Sequence, residues 1–81
     1  MKARVTVTPR SGVLDPQGKA VHHALQSLGF EEVRDVRVGR SISVVIQGVP
    51  SREEASKRLD LMCRRLLANP LIEDFSFTWE E

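Results

Sequence analysis

The stretch that decides the fold is Ser11-Gly12-Val13-Leu14-Asp15-Pro16-Gln17-Gly18, called the elbow below, because it separates a strand-like run from a helix-like run. Asp15 followed by Pro16 is typical of a helix N-cap and first helical residue. The carboxylate can accept hydrogen bonds from the free N–H groups of the first turn, and proline has no N–H to leave unpaired. Gly12 allows a backbone bend with positive φ just before the cap. The elbow therefore predicts a turn from a strand into a helix.

The spacing of apolar residues on either side of the elbow agrees with that interpretation. Apolar and polar residues alternate strictly from Lys2 to Thr8, which predicts a half-buried strand ended by Pro9. From Pro16 to Leu28 the apolar residues recur at helical spacing, and Gly29 suits the position after the helix end. The residues of this apolar stripe are Val21, Ala24, Leu25 and Leu28.

Two further strand-like runs, Glu31–Val38 and Ile42–Val49, predict a hairpin around Gly39-Arg40-Ser41. A two-residue loop at Gly39-Arg40 fits a type II′ turn, but it mixes apolar and polar residues on each face. A three-residue loop pairs Val38 with Ile42 and keeps one apolar face. Because a shift of one residue moves every side chain to the other face, the pattern favours an odd-length or bulged loop.

A second helix and a last strand complete the chain. Ser51 followed by Glu54 forms a capping box, which is a specific signal for a helix start. The predicted buried stripe of this helix consists of Ala55, Leu59, Met62 and Leu66, widened by Cys63 and Leu67. Asn69-Pro70 ends the helix, and Leu71 to Trp79 alternates as a strand.

The order βαββαβ predicts an α+β fold: a two-layer, ferredoxin-like sandwich with an antiparallel sheet and both helices on one face. Its 81 residues suit a single domain, 1–81, with a small core. The sheet has an uncovered face and free edges, which are candidate subunit contacts. A homodimer is therefore expected.

Composition and charge exclude several classes of function. The formal net charge is only +1, from twelve basic and eleven acidic residues, whereas nucleic-acid-binding domains usually carry a stronger basic bias. Cys63 is the only cysteine, so no disulfide can form within the chain. With no signal peptide and no long apolar segment, the sequence predicts a reduced, cytoplasmic protein without a membrane span.

The sequence contains no recognisable catalytic or metal-binding motif. The elbow is not a phosphate loop, because five residues separate Gly12 from Gly18 and Ala20 follows Lys19. Adjacent His22 and His23 point about 100° apart on a helix and are interpreted as solvated side chains. Cys63 is interpreted as a small buried apolar residue. We therefore expect catalytic, cofactor-binding and metal-binding residues to be absent. The basic set Arg34, Arg37 and Arg40 fits either a solvated edge strand or an anion site.

The elbow also resembles the signature of a known family, the PurS small subunit of phosphoribosylformylglycinamidine (FGAM) synthase. GVLDPQG, followed by Ala20 and by His23-Ala24-Leu25, carries the resemblance. It continues through Glu32-Val33-Arg34-Asp35-Val36-Arg37 with Gly39 and Arg40, through Met62-Cys63 and Leu66-Leu67-Ala68-Asn69, and through Ile72-Glu73-Asp74-Phe75. Arg10, Arg40 and Phe75 are conservative departures from the usual Lys, Lys and Tyr. The resemblance covers most of the chain in the right order.

The resemblance implies a subunit of the purine biosynthetic complex that converts formylglycinamide ribonucleotide (FGAR), ATP and glutamine to FGAM, ADP, phosphate and glutamate. Such a subunit forms a homodimer, or a tetramer, and bridges the glutaminase PurQ and the large synthetase PurL. It assists ammonia transfer without catalytic residues of its own, while ATP and Mg²⁺ are used by the large subunit.

Loops on rigid scaffolds commonly carry partner contacts, which makes the elbow and the predicted hairpin tip the candidate interface. The residues proposed for it are Arg10, Leu14, Asp15, Gln17, Arg37 and Arg40. Two other functions stay open on the sequence alone. One is a regulatory domain that binds an amino acid at a dimer interface. The other is a small RNA-binding domain, which needs exposed aromatic residues on the open sheet face.

Overall fold

A three-stranded antiparallel sheet forms the centre of the computed structural model, which describes residues 1–80. Its strands are β1 (Lys2–Pro9), β2 (Arg40–Val45) and β3 (Glu73–Glu80), in the order β2-β1-β3. The alternation of β1 places Ala3, Val5 and Val7 on one face, where all three are fully buried. Val5 lies opposite Ile42 of β2 and Phe77 of β3, so these side chains share that face. The α+β class and the antiparallel sheet are thus confirmed. Glu81, the last residue of the predicted domain, lies outside the described part.

The helix α2 (Arg52–Met62) covers this apolar face. It begins at Ser51, whose Oγ accepts a hydrogen bond from the Glu54 N–H at 3.1 Å, as the capping box predicts. Its buried residues Ala55 and Leu59, together with Cys63 directly after its end, belong to the same core cluster as the β1 residues.

One flank of α2 faces β3. The indole N–H of Trp79 donates to Ser56 Oγ at 3.0 Å, and the guanidinium of Arg64 lies 5.4 Å from the centre of the Phe75 ring. Such cation–π contacts hold the helix against the aromatic strand.

Beyond Met62 the helix continues as one π-helical turn, Cys63–Leu67. The Ala68 N–H donates to the carbonyl of Cys63, five residues earlier, at 2.9 Å. This wider turn rotates the residues inside it relative to an α-helix, so Leu66 is 82% exposed and Ala68 is buried instead. The prediction that Leu66 belongs to the buried stripe is wrong for this reason, and Met62 is also partly exposed.

The helix α1 (Pro16–Ser27) begins and ends as predicted, with Asp15 as N-cap and Gly29 at φ +98°. It does not lie on the sheet, because none of its residues belongs to the core cluster that the strands form with α2. Its neighbour is the extended segment 33–38: His22 Nε2 lies 2.9 Å from the Val33 carbonyl oxygen. We call α1 and segment 33–38 the arm. His22 is half-buried in it, so its interpretation as a solvated histidine is wrong.

The predicted second strand, Glu31–Val38, does not form, and with it the predicted hairpin is absent from residues 1–80. The Val38 N–H is used by the Asp15 carboxylate, at 3.0 Å, instead of by a neighbouring strand. Gly39 lies directly against the Val7 carbonyl, and the chain then enters β2 at Arg40. In the part of the chain that the structure describes, the sheet therefore has three strands where the pattern predicted four.

The arm makes the molecule elongated. Its principal extents are 51 × 27 × 14 Å and its radius of gyration is 16.0 Å, whereas a compact domain of this length has about 12 Å. The accessible surface is 5968 Å², about 1,000 Å² more than a compact monomer of this mass exposes. A single copy thus leaves an unusually large surface uncovered.

Candidate partner-binding site

The elbow is held by the two carboxylate oxygens of Asp15. Oδ1 accepts a hydrogen bond from the Gly18 N–H at 3.0 Å, which caps α1. Oδ2 accepts one from the Val38 N–H, also at 3.0 Å. One side chain therefore fixes the start of α1 and ties segment 33–38 to it.

The structure explains why glycine stands at two positions of the elbow. Gly12 has φ +86°, a conformation that residues with a side chain rarely adopt. Gly18 is buried, and a Cβ there would collide with the Asp15 carboxylate and the Val36 carbonyl. Gly12 therefore allows the backbone to turn, and Gly18 allows α1 to lie this close to segment 33–38.

These constraints shape a surface depression of about 360 Å³ beside the elbow. It brings together four of the six predicted interface residues, namely Arg10, Leu14, Asp15 and Arg37. Leu14 is 76% exposed at its rim. Gln17, on the exposed surface of α1, and Arg40 do not line it. Whether these residues contact a partner stays a prediction.

The two arginines of the depression already have partners within the chain. Arg10 Nε lies 3.2 Å from Asp74 Oδ1, and Arg37 Nε lies 3.4 Å from Asp35 Oδ2. Both pairs are largely exposed, and such pairs are worth at most about 1 kcal/mol each. The depression therefore presents balanced charge around an exposed leucine. Arg34 does not line it, and the structure does not bring the predicted basic set together as one anion site there.

Arg40 lies at the start of β2 and joins three parts of the fold. Its guanidinium donates to both oxygens of Glu73, at 2.8 and 3.2 Å, and to the Leu67 carbonyl at the end of the π-helical turn. Glu73 Oε1 also accepts from the Asn69 N–H at 2.7 Å. The hydrogen bonds from Arg40 and Asn69 lower the pKa of the Glu73 carboxyl below its ordinary value.

The thiol of Cys63 lies inside the core. Cys63 is fully buried, and burial, followed by the charge of Asp60, raises the pKa of its thiol. A thiol in that state is a poor nucleophile. Among residues 1–80, no three His, Cys, Asp or Glu side chains are grouped closely enough to hold a metal ion. None of the helices in that range is long and apolar enough to cross a membrane.

The uncovered face of the sheet is polar. Arg4 lies opposite Ser43 and Thr78, while Thr6 lies opposite Ser41 and Ser76. The aromatic residues of β3 are on the other face, packed against the core. Within residues 1–80, the open face therefore has no aromatic platform of the kind that RNA-binding domains use to stack bases.

The sequence did not identify the surfaces that the structure leaves apolar and exposed. They lie on the outer side of α1, with Val21 and Leu28, and on one flank of α2, with Leu61, Met62 and Leu66. A helical apolar stripe looks the same whether it packs within its own chain or against another chain, so the pattern carried no signal for this difference.

Comparison with known proteins identifies the family of this chain. The family model described as PurS, phosphoribosylformylglycinamidine (FGAM) synthase, matches residues 2–81. The PurS subunit of this synthase from Bacillus subtilis is 43% identical over 99% of this chain and 93% of its own length. The one from Archaeoglobus fulgidus is 41% identical over the whole of both chains.

Solved structures agree with the sequence comparison. The structure of B. subtilis PurS has a TM-score of 0.80 at 42% identity and covers 99% of this chain and 98% of its own. A structure of PurLQS from Thermotoga maritima contains a chain with a TM-score of 0.82 at 28% identity, covering 95% of this chain and 93% of that one. The chain described here belongs to the PurS family of FGAM synthase subunits.

Proposed function

We propose that this chain holds the glutaminase and synthetase subunits of FGAM synthase together, so that ammonia passes between their active sites, and that it performs no chemistry itself. Membership of the PurS family makes it a subunit of FGAM synthase in purine biosynthesis. The observation that carries the bridging role is the match to a chain of PurLQS from T. maritima along 95% of this chain. The partners inferred from it are PurL and PurQ.

The physical reason for such a subunit lies in the chemistry of ammonia. In bulk water at neutral pH most ammonia is protonated and no longer nucleophilic, and it also diffuses away. A rigid clamp that fixes two active sites and excludes solvent between them favours direct transfer, by the same argument that makes positioning valuable in catalysis. Two observations on the described residues agree with a clamp. The thiol of Cys63 is buried, and the exposed carboxylates of Asp74, Asp35 and Glu53 are paired with arginine or lysine.

The same proposal includes a second copy of the chain. The elongated shape, the surface excess of about 1,000 Å² over a compact monomer and the exposed apolar side chains of α1 all support a homodimer. ATP and Mg²⁺ belong, in this proposal, to the large subunit. We also place the complex in the cytoplasm, where a single unpaired cysteine such as Cys63 is ordinary.

Reconstitution tests the bridging role. Purified glutaminase and synthetase subunits are mixed with and without this chain, and FGAM formation is measured with glutamine and, separately, with ammonia as nitrogen donor. We expect the glutamine-dependent rate to require the chain and the ammonia-dependent rate to change little. An equal glutamine-dependent rate without the chain would exclude the bridging role.

A further inference from the structure

Segment 33–38 runs along one side of α1 and is bound to it near both ends. At one end, Asp15 Oδ2 accepts a hydrogen bond from the Val38 N–H at 3.0 Å. At the other end, His22 Nε2 lies 2.9 Å from the Val33 carbonyl oxygen. Because a carbonyl oxygen only accepts, the histidine ring donates this bond. Two backbone groups that a neighbouring strand could use are therefore bound by side chains of α1 and its cap.

Between these two bonds the helix and the segment are in close contact. Gly18 is buried, and a Cβ there would collide with the Val36 carbonyl. Asp15, Gly18 and His22 are three and four residues apart, so they lie on one side of the helix. The contact therefore runs along about two turns of α1. These contacts make the arm a unit with little internal freedom.

The bond from Val38 to Asp15, called the latch below, also closes the base of the arm. The chain enters the arm through the elbow and leaves it at Val38, directly before Gly39. Another side-chain bond across this base, from Arg37 to the Pro9 carbonyl, is exposed and 3.4 Å long. The latch is half-buried and its acceptor is ionised, which makes such a bond about twice as strong as a neutral one. We expect the latch to contribute most to the fixed angle between the arm and the sheet.

We propose that Asp15 is a positioning residue of FGAM synthase: through the latch it keeps the arm at one angle to the sheet, and so keeps the glutaminase and synthetase active sites aligned for ammonia transfer. A bridge that bends spends part of its time with the two sites apart, and ammonia released during that time is lost to water. Asp15 was predicted as a partner contact, yet both of its oxygens bind within the chain. This inference rests on the bridging function proposed above.

Asp15→Asn separates the two bonds of this side chain. Asparagine caps helices as well as aspartate does, so its carbonyl oxygen can still accept from the Gly18 N–H. Its NH₂ group then faces the Val38 N–H, and two donors form no hydrogen bond. Amide hydrogen exchange followed by NMR tests the latch. We expect Val38 to exchange at least about tenfold faster in the variant, with Gly18 as protected as in the wild type. Equal protection of Val38 in both proteins would overturn the proposal.

The products of turnover test the positioning role. The complete synthase is assembled with a saturating amount of wild-type or variant chain, and glutamate and FGAM are measured with glutamine as nitrogen donor. The wild-type chain should give nearly equal amounts of the two products, because the ammonia released from glutamine is used. With Asp15→Asn we expect at least about twofold more glutamate than FGAM, because ammonia escapes from a misaligned complex.

The matched control is Ser51→Ala, which removes the side-chain cap of α2 and destabilises the chain without touching the arm. It should keep glutamate and FGAM equal. An excess of glutamate as large as that of Asp15→Asn would attribute the effect to lower stability and overturn the proposal.

Two further outcomes distinguish this inference from the bridging function. If Asp15→Asn frees the Val38 amide and still yields equal amounts of glutamate and FGAM, the latch is only structural and the positioning role is wrong, while the bridging role stands. If the glutamine-dependent rate is the same with and without the wild-type chain, the bridging role fails and the positioning role fails with it.

Discussion

At the scale of single residues, Asp15 shows what local sequence determines. Its position before Pro16 predicted an N-cap, and the hydrogen bond to Gly18 confirms it. Its second oxygen binds Val38, which lies 23 residues further along the chain. No local pattern encodes that contact, because it depends on where segment 33–38 lies after folding. The sequence therefore predicted the cap but not the attachment of the arm.

Gly18 gives a prediction that opposes ordinary helix propensity. Replacing glycine by alanine within a helix usually stabilises it by about 1 kcal/mol. Here the added Cβ would collide with the Asp15 carboxylate and the Val36 carbonyl. We expect Gly18→Ala to lower the free energy of unfolding by about 1–3 kcal/mol, the usual cost of overpacking. Urea titration followed by circular dichroism measures it.

Ser27→Ala is the matched control, since Ser27 is exposed at the last position of the same helix. It should change the free energy of unfolding by no more than about 0.5 kcal/mol. A Gly18→Ala variant as stable as the wild type would show that the elbow does not need this close approach.

At the scale of elements, the sequence predicted correctly those helix and strand bounds that local interactions determine. It failed where contacts between distant parts of the chain determine the structure. The bounds of β1 and α1 and the cap at Ser51 agree with the periodicity and the capping signals. The π-helical turn was not predictable, because an i→i+5 hydrogen bond at Cys63 has no compositional signature and moves Leu66 outward. Segment 31–38 alternates like a strand, yet its Val38 N–H binds Asp15 instead of a neighbouring strand.

The junction of β2, β3 and the end of the helical segment depends on Glu73, and this gives a pH-dependent prediction. Hydrogen bonds from Arg40 and Asn69 hold the pKa of Glu73 below its ordinary 4.5. A carboxyl group whose pKa is lowered in the folded state adds stability that is fully present above its unfolded pKa and is lost as the pH falls through the folded value. We therefore expect wild type to be more stable than Glu73→Gln at pH 7, with the difference shrinking below about pH 4.5. Denaturant unfolding at a series of pH values measures it.

The control for this series is Glu53→Gln on α2, where the carboxylate is exposed and lies 3.9 Å from Lys57. Such an exposed pair contributes little, so the variant should follow the wild type closely across the pH range. A difference between wild type and Glu73→Gln that stays constant from pH 7 to pH 3 would mean that the charge of Glu73 does not support this junction.

At the scale of the whole molecule, one small chain exposes two separate kinds of surface. The outer side of α1 is apolar and exposed at Val21 and Leu28, which suits the homodimer proposed above. The depression beside the elbow combines paired charges with one exposed leucine, which suits a different protein. Arg40 was predicted alongside these elbow residues, but reversing its charge would also break its bonds to Glu73 and Leu67. If a variant at Arg40 bound its partner more weakly, the experiment would not distinguish damage to the fold from loss of a direct contact.

Leu14 avoids that difficulty and gives the sharpest test of the elbow as a partner surface. It is 76% exposed, so Leu14→Ala should change the free energy of unfolding by no more than about 0.5 kcal/mol. If the elbow contacts the large synthetase subunit, the same substitution should weaken binding by about 1–2 kcal/mol, or roughly 5- to 30-fold, as for other central apolar contacts. Titration of the large subunit with labelled chain measures this affinity. Leu71→Ala, at a residue that is 84% exposed outside the depression, is the matched control and should bind like the wild type. Equal affinities for wild type, Leu14→Ala and Leu71→Ala would show that the elbow does not contact the large subunit. The sequence of the elbow would then be explained only by the helix cap and by the attachment of the arm.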